Sequence, residues 1–183
     1  AVTGLTLTHL GAALDVTSQT QCTFPVALEA NKRIYVGVGT NGNVHPASVT
    51  IGGVAATLVP GSQGSATATQ IDIYYADVGA SPSNVVVVNH SPAANACGVE
   101  VYAIGGAINV HTATAGSAQG SAAPWSVDLS LNTGTESVVM AFGFSSNKTL
   151  AMDNNTGLTS DDVQTDNNRT IWSGSNTSPG TAA

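Results

Sequence analysis

Short apolar runs separated by small polar turns fill the segment from Lys32 to Ala107. Apolar residues alternate at Ile34, Val36 and Val38 and again at Val99, Val101 and Ala103, which is the period of a half-buried strand. Gly52-Gly53 and Gly105-Gly106 follow or split β-branched runs and can supply the positive φ that tight turns require. Sustained helical periodicity is absent from the sequence. The pattern predicts an all-β fold, an antiparallel β-sandwich of the Ig-like or jelly-roll-like kind with negligible helix.

Further strands are predicted on both sides of this segment. They are Thr3–Leu10, with Leu5 and Leu7 facing inward, Thr20–Leu28, which is interrupted near Pro25, Trp125–Leu131 and Ser137–Phe144. Val85–Val88 does not alternate, which is typical of a strand covered on both faces. The Ala, Gly, Ser and Thr-rich stretch Thr112–Ala123 predicts a long loop. Beyond Asn147 we expect loops and one or two short strands. We therefore expect one sandwich domain over residues 1–172 and a flexible or partner-contacting tail over 173–183.

Composition excludes several classes of partner. Only 8% of the 183 residues are charged and the formal net charge is −7, whereas about 25% is usual. The only cations are Lys32, Arg33, Lys148 and Arg169, so no basic patch is expected that could neutralise phosphates or anionic lipid. No apolar run approaches the roughly 20 residues of a membrane span. We expect neither nucleic acid nor membrane as a partner.

The central segment also resembles a known group of proteins. A basic pair precedes the strand at Ile34–Val38, and the runs VTIGGVAATLV (Val49–Val59), YYADV (Tyr74–Val78) and CGVEVYAIGGA (Cys97–Ala107) follow in order. This succession resembles small β-sandwich proteins of tailed bacteriophages and prophages. The resemblance implies a non-enzymatic virion structural protein on the particle exterior, either a capsid decoration (cement) protein or a tail-fibre subunit.

The resemblance also implies partners and a location. We expect a homo-oligomer that contacts other copies of itself and a major capsid or tail protein, assembled in the host cytoplasm and resident in the virion. On that basis the start at Ala1 fits removal of an initiator methionine better than cleavage of a signal peptide. Two alternatives stay open: a carbohydrate-binding or adhesive host-attachment module that contacts a surface glycan, and a secreted bacterial filament or surface subunit, both extracellular.

Cys22 and Cys97 each lie in a predicted strand. A disulfide between them would stabilise the domain by about 2–5 kcal/mol. Two free, buried thiols that act as small apolar side chains explain the same residues, and cytoplasmic assembly would disfavour the bridge. Both interpretations stay open.

Metal sites receive little support from the sequence. The weak calcium candidates are Asp153, Asp161, Asp162 and Asp166. EF-hand spacing is absent from them, and Asx turns account for an Asp- and Asn-rich stretch with fewer assumptions. The histidines His9, His45, His90 and His111 are scattered without zinc-type spacing. We expect no resident metal or cofactor.

Catalytic and cofactor motifs also have simpler explanations. Gly37–Gly42 matches G-x-G-x-x-G, but no helix is predicted to open on it, so the glycines are expected to serve a loop. There is no G-x-S-x-G elbow, and Glu100 is expected at an ordinary outward strand position. We therefore expect that the protein is not an enzyme. Trp172, in a polar segment, is the aromatic candidate for contact with a glycan.

Overall fold

The structure is a computed structural model that describes residues 5–66, 68–106, 138–145, 158–167 and 169–176. These residues are all-β and contain no helix, as the alternating pattern predicts. Accordingly, none of them belongs to a helix long and apolar enough to cross a membrane. The predicted loop Thr112–Ala123 and the predicted strand Trp125–Leu131 lie outside the described residues.

Within the described ranges, the strands pair into three antiparallel sheets. In chain order they are β1 (Thr6–Asp15), β2 (Gln19–Pro25), β3 (Arg33–Asn41), β4 (Pro46–Ile51), β5 (Val54–Ala55), β6 (Thr57–Leu58), β7 (Gly64–Ala66), β8 (Thr69–Asp77), β9 (Val85–Ala94), β10 (Ala96–Gly105), β11 (Val139–Ser145), β12 (Thr159–Asp166) and β13 (Arg169–Asn176). The central sheet has the order β1-β10-β3-β8-β6, with β7 also paired to β8. The second sheet is β2-β9-β4-β5 and the third is β11-β13-β12.

The central and second sheets enclose the main hydrophobic core. Ile34, Val36 and Val38 of β3 point into it from the central sheet. Val86 and Val88 of β9 oppose them from the second sheet, and all five side chains are fully buried. Aligned face-to-face packing of β-branched side chains is the arrangement of a sandwich, so the predicted fold class is confirmed.

The third sheet covers the opposite face of the central sheet. Its strand β11 contacts β3 and β8, β13 contacts β10, and β12 contacts β1. A Cβ added at Gly37 or Gly39 of β3 would overlap the rings of Phe142 and Phe144 in β11. These two glycines therefore lie inside a strand, where they admit aromatic rings close to the backbone, and the expectation that they serve a loop is wrong. Only Gly42, with φ 112°, lies at the turn after the strand.

A bulge in β1 distributes its side chains between the two faces. The register with β10 shifts between His9 and Gly11, and Gly11 has φ 144°. Because the side-chain period of a strand is two, this shift changes the face that successive residues occupy. Leu10 packs against the main core, whereas Leu7 packs against a smaller cluster around Tyr35 on the other face.

Burial on both faces occurs in β10 rather than at Val85–Val88. Val86 and Val88 are buried, but Val85 and Val87 are only half-buried, so that prediction is wrong. β10 lies between β1 and β3 and is covered by the second sheet on one face and by β13 on the other. Nine of its ten residues are buried.

The C-terminal strands are longer than expected. β12 and β13 each have eight residues, whereas the sequence predicts one or two short strands. Ser173–Asn176 belong to β13, the middle strand of the third sheet. A tail beginning at residue 173 is therefore wrong for these four residues, and residues 177–183 lie outside the described part. The predicted strand Ser137–Phe144 corresponds to β11.

Candidate functional site

Two groups of chemically capable side chains lie between the sheets. The first, which we call the polar junction, lies between the central and third sheets. It comprises His9, Glu100, Tyr102, Asp161 and Ser173. The second, which we call the sulfur cluster, lies between the central and second sheets and comprises Cys22, His90 and Cys97.

Glu100 is the centre of the polar junction. Its Oε2 accepts hydrogen bonds from Ser173 Oγ of β13, at 2.9 Å, and pairs with His9 Nε2 of β1, also at 2.9 Å. The side chain is 0% exposed, and its Oε1 has no hydrogen-bond partner among the described residues. Glu100 is therefore not at an outward strand position, and that expectation is wrong. Glu100 is buried because β13 packs against the side of β10 from which its side chain projects.

Tyr102 extends the junction along β10. Its hydroxyl donates to Asp161 Oδ2 at 2.7 Å. Its ring contacts Phe142 edge-on at a centroid distance of 5.5 Å and lies 4.9 Å from the His9 ring. The junction thus ties β1, β10, β12 and β13 together through hydrogen bonds and ring contacts.

Burial and pairing shift the proton affinities of the junction in one direction. The hydrogen bond to Glu100 raises the pKa of His9 above its ordinary value, against the opposing effect of burial. Burial raises the pKa of Glu100, although His9 and Ser173 lower it in part. Burial also raises the pKa of Tyr102. The junction therefore holds its protons more tightly than the same groups do in water.

The junction lacks the geometry of a serine nucleophile. In a Ser-His-Asp/Glu triad the imidazole bonds the serine with one nitrogen and the carboxylate with the other. Here Ser173 and His9 both bond the same oxygen of Glu100, and Ser173 is 0% exposed. What the arrangement does is join two sheets.

Two acidic residues of β12, Asp161 and Asp162, form hydrogen bonds within the chain. Asp161 accepts from Tyr102, and Asp162 Oδ1 accepts from the backbone N–H of Val163 at 2.7 Å while both its oxygens lie within 3.2 Å of Gln164 Nε2. Asp162 also offers an oxygen within 4.8 Å of ligand atoms of His9 and Glu100. Asp161 and Asp166 belong to no such group among the described residues, and Asp153 lies outside them. The three described calcium candidates, Asp161, Asp162 and Asp166, thus do not form a common group of potential ligands.

The sulfur cluster is buried in the main core. Cys22, His90 and Cys97 are 1%, 4% and 0% exposed, and Cys22 Sγ lies 3.7 Å from His90 Nε2. Both cysteines are free thiols in the structure, with their sulfurs within 4.8 Å of each other. The fold thus brings the predicted pair together, and whether they bond covalently stays a prediction.

The two thiols have opposite proton affinities. Hydrogen bonds, first from Cys97 and then from His90, lower the pKa of Cys22 to about 6. Burial raises the pKa of Cys97. The thiolate form is therefore favoured at Cys22 and the thiol form at Cys97. Thiolates are the forms that bind metals.

The remaining predicted residues lie elsewhere. Trp172 of β13 is half-buried, and its indole lies over Gly143 of the neighbouring strand. His45 Nδ1 pairs with buried Asp72 at 2.9 Å, away from both clusters. His111 lies outside the described residues.

A shallow groove of about 310 Å³ opens at the ends of β3 and β8, lined by Lys32, Arg33 and Asp77 among others. The Arg33 guanidinium forms two hydrogen bonds of 2.7 Å with the Asp77 carboxylate. Its charge is therefore already balanced, which weakens the groove as an anion site.

Sequence analysis paired Cys22 with Cys97 but did not add His90 to them, and it did not group the residues of the polar junction. The members of both groups are far apart in the chain and meet only through sheet packing. One signal was present: Glu100 is a charged residue inside the apolar run Cys97–Ala107, and a charge in such a run must find a partner if the strand is buried. Comparisons with family models and with curated proteins returned no match.

Proposed function

We propose that the chain is a non-enzymatic structural protein of a tailed-bacteriophage particle, attached to the particle exterior as a capsid decoration (cement) protein or a fibre subunit. The observation that carries the proposal is where the chemically reactive side chains lie. In the described residues, Glu100, Ser173, Cys22 and Cys97 lie buried between sheets and contact one another rather than an open cavity.

The surface also supports a structural role. Cations in the described part are Lys32, Arg33 and Arg169, and Arg33 is paired with Asp77. The exposed large hydrophobic residues there are Val54 and Val163, on different sheets. Such a surface is polar but nearly uncharged, so contacts with neighbouring subunits depend on shape and neutral hydrogen bonds. Binding of this kind is little screened by salt.

The topology suits a particle that must persist outside a cell. β1 pairs with β10 and β2 pairs with β9, so the central and second sheets each join segments that are distant in the chain. The third sheet then covers β10 and β3. Domains dominated by such non-local pairings fold slowly, and at a given stability a slow folding rate implies a slow unfolding rate. A slow unfolding rate keeps a particle intact over time.

Under this proposal the partners are other copies of the chain and a major capsid or tail protein. The site of action is the virion, after assembly in the host cytoplasm. Neither nucleic acid nor membrane is required as a partner.

Immunogold electron microscopy tests the proposal directly. Antibody against the purified chain is applied to gradient-purified particles from an induced culture of the strain that carries the gene. We expect label on the outside of capsids or tails, retained after a wash in high salt. Label on cell-surface filaments, or its absence from every sedimenting particle, would contradict the proposal.

A second function, attachment to a host glycan, is favoured by one observation. The indole of Trp172 lies over Gly143 and is partly exposed, and a flat ring supported in this way can stack on a sugar. Its cross-strand partner Val163 is 42% exposed.

A glycan array with matched variants tests this alternative. If the module binds glycans through the indole, Trp172→Ala abolishes the signal and Val163→Ala keeps it. An array on which the unaltered chain binds no glycan removes the alternative and leaves the structural role.

A further inference from the structure

Three metal-binding side chains from three strands converge in the main core. Cys22 is on β2, His90 on β9 and Cys97 on β10. Each offers one ligand atom, and the three atoms lie within 4.8 Å of one another. The first two strands belong to the second sheet and the third to the central sheet, so the cluster spans the sandwich.

The spacing fits a tetrahedral zinc ion. Zinc–sulfur bonds of about 2.3 Å and zinc–nitrogen bonds of about 2.0–2.1 Å place the two donors of a tetrahedral site about 3.6 Å apart. Cys22 Sγ and His90 Nε2 are 3.7 Å apart. A zinc ion bound to both would need little movement of either side chain.

Neither ring nitrogen of His90 has a strong hydrogen-bond partner among the described residues. The ring is 4% exposed, and Nδ1, which is not the nitrogen in contact with Cys22, has no partner. The contact given for Nε2 is the Cys22 sulfur, a weak partner. Buried imidazoles are normally hydrogen-bonded or metal-bound. Coordination of Nε2 would replace this weak contact with a strong bond.

Two further residues support the sulfur side of the cluster. Gln19 Nε2 lies 3.5 Å from Cys22 Sγ and donates to Asp15 Oδ2 at 2.6 Å. Asp15 itself pairs in register with Cys97 across β1 and β10. An amide held in this position by a carboxylate is the kind of outer contact that orients a metal-bound thiolate.

We propose that Cys22, His90 and Cys97 bind one zinc ion that cross-links the central and second sheets. Both cysteines coordinate as thiolates, and whatever protons the two sulfurs still hold pass to solvent when the metal binds. His90 coordinates through neutral Nε2, and water completes the tetrahedron. Gln19 acts as a positioning residue through its contact with Cys22. The zinc has a structural role that adds to the proposed function and does not depend on it.

Metal analysis of the intact chain tests the proposal. The chain is purified without chelator under mild reductant, incubated with a small excess of zinc and freed of loose metal. We expect one zinc per chain and a melting temperature that falls when the zinc is removed with a chelator. Cobalt(II) in place of zinc should give the visible bands of a tetrahedral ion and a thiolate-to-cobalt charge-transfer band.

Variants separate this site from other metal binding. His90→Gln and Cys97→Ser should each lose the zinc and the charge-transfer band, with folding checked by circular dichroism. His45→Gln, which alters a histidine paired with Asp72 outside the cluster, should keep one zinc.

Three results would overturn the proposal. One is a folded, unaltered chain with two titratable thiols that takes up no zinc. Another is a Cys22–Cys97 disulfide that persists in the mildly reduced protein. The third is a folded His90→Gln chain that retains its full zinc content. The first two are measured on the unaltered chain, so they decide the question even if a core variant does not fold.

Discussion

One face of the central sheet is packed mostly by aliphatic side chains, with the sulfur cluster among them. The other is packed by glycines, aromatic rings and a hydrogen-bonded carboxylate. On the first face, Val36 and Val38 meet the side chains of β9. On the second, Gly37 and Gly39 receive Phe142 and Phe144, and Glu100 bonds His9 and Ser173. Outside the sulfur cluster, the first face depends on apolar volume, which many sequences can provide. The second depends on particular pairs of residues. Two substitutions within one such pair should therefore have strongly non-additive effects on stability.

The largest effect is expected from a cavity on the aliphatic face. Ile34 is fully buried in the main core, and Ile34→Ala should lower the free energy of unfolding by about 2–5 kcal/mol through lost burial and the cavity left behind. Urea denaturation measures the change. Val54→Ala, at a residue that is 39% exposed, is the control and should remain within about 0.5 kcal/mol of the unaltered chain. Equal losses in the two variants would contradict the assignment of this face as the main core.

A smaller but strongly coupled effect is expected where glycine meets phenylalanine. A Cβ at Gly39 would overlap the Phe144 ring, so Gly39→Ala should cost about 1–3 kcal/mol by overpacking. In a Phe144→Leu background the same change should cost less, because the smaller side chain can yield. A double-mutant cycle by urea denaturation measures the coupling, expected at about 0.5–3 kcal/mol. Additive losses would show that the ring does not rest on this glycine.

The polar junction should make stability depend on pH with a defined sign. The pKa values of His9 and Glu100 are both raised in the folded chain, so the folded state keeps protons that the unfolded state has released. Stability from these groups is therefore greatest at low pH and falls as pH rises through the folded pKa values. His9→Gln should lose most stability relative to the unaltered chain near pH 5 and least near pH 8.

Melting temperatures of the two chains across this range measure that difference. The comparison is made between chains because Cys22, with its pKa lowered to about 6, contributes with the opposite sign in both. Thr8→Gln, an exposed change on the same strand, should preserve the unaltered pH profile. A constant gap between His9→Gln and the unaltered chain from pH 5 to pH 8 would rule out the junction as its source.

The smallest effect is expected from the exposed ion pair between Arg33 and Asp77, at the ends of β3 and β8. Arg33 bonds Asp77 through two nitrogens, and its guanidinium lies 5.1 Å from the centroid of the Tyr75 ring. The side chain of Asp77 is 64% exposed, so the Arg33→Ala and Asp77→Ala cycle should give a coupling of only about 0.2–1 kcal/mol that declines with added salt. A coupling insensitive to salt would indicate a contact other than the ion pair.

How well the sequence predicts the fold differs between the two faces of the central sheet. Strands β3, β8 and β9 each place one set of side chains in the aliphatic core. Their short apolar runs are enough to find them, although the run Val85–Val88 of β9 does not alternate in sequence. The burial of Glu100 is invisible locally because the strand that covers it, β13, lies far along the chain. Gly37 and Gly39 resembled a loop motif for the same reason, since the rings that need their space belong to β11.

The candidate sites were less predictable than the strands. The sequence marks Cys22 and Cys97 as a pair, but His90 joins them only because β9 pairs with β2 in the second sheet. Trp172 and Asp161 were identified as residues of interest without their contacts. Residues that meet from three strands in two sheets have no characteristic spacing in the sequence, so no sequence motif identifies them.

The pairing of β1 with β10 has a consequence for synthesis of the chain. Asp15 ends β1 and pairs with Cys97 near the start of β10, so β1 leaves the ribosome well before its partner exists. At about 5–20 residues per second, the nascent strand waits several seconds with its backbone donors and acceptors unpaired. During this interval it depends on chaperones or on its own polar residues to avoid pairing with another nascent chain. We therefore expect the yield of folded chain to depend on the speed of translation between β1 and β10.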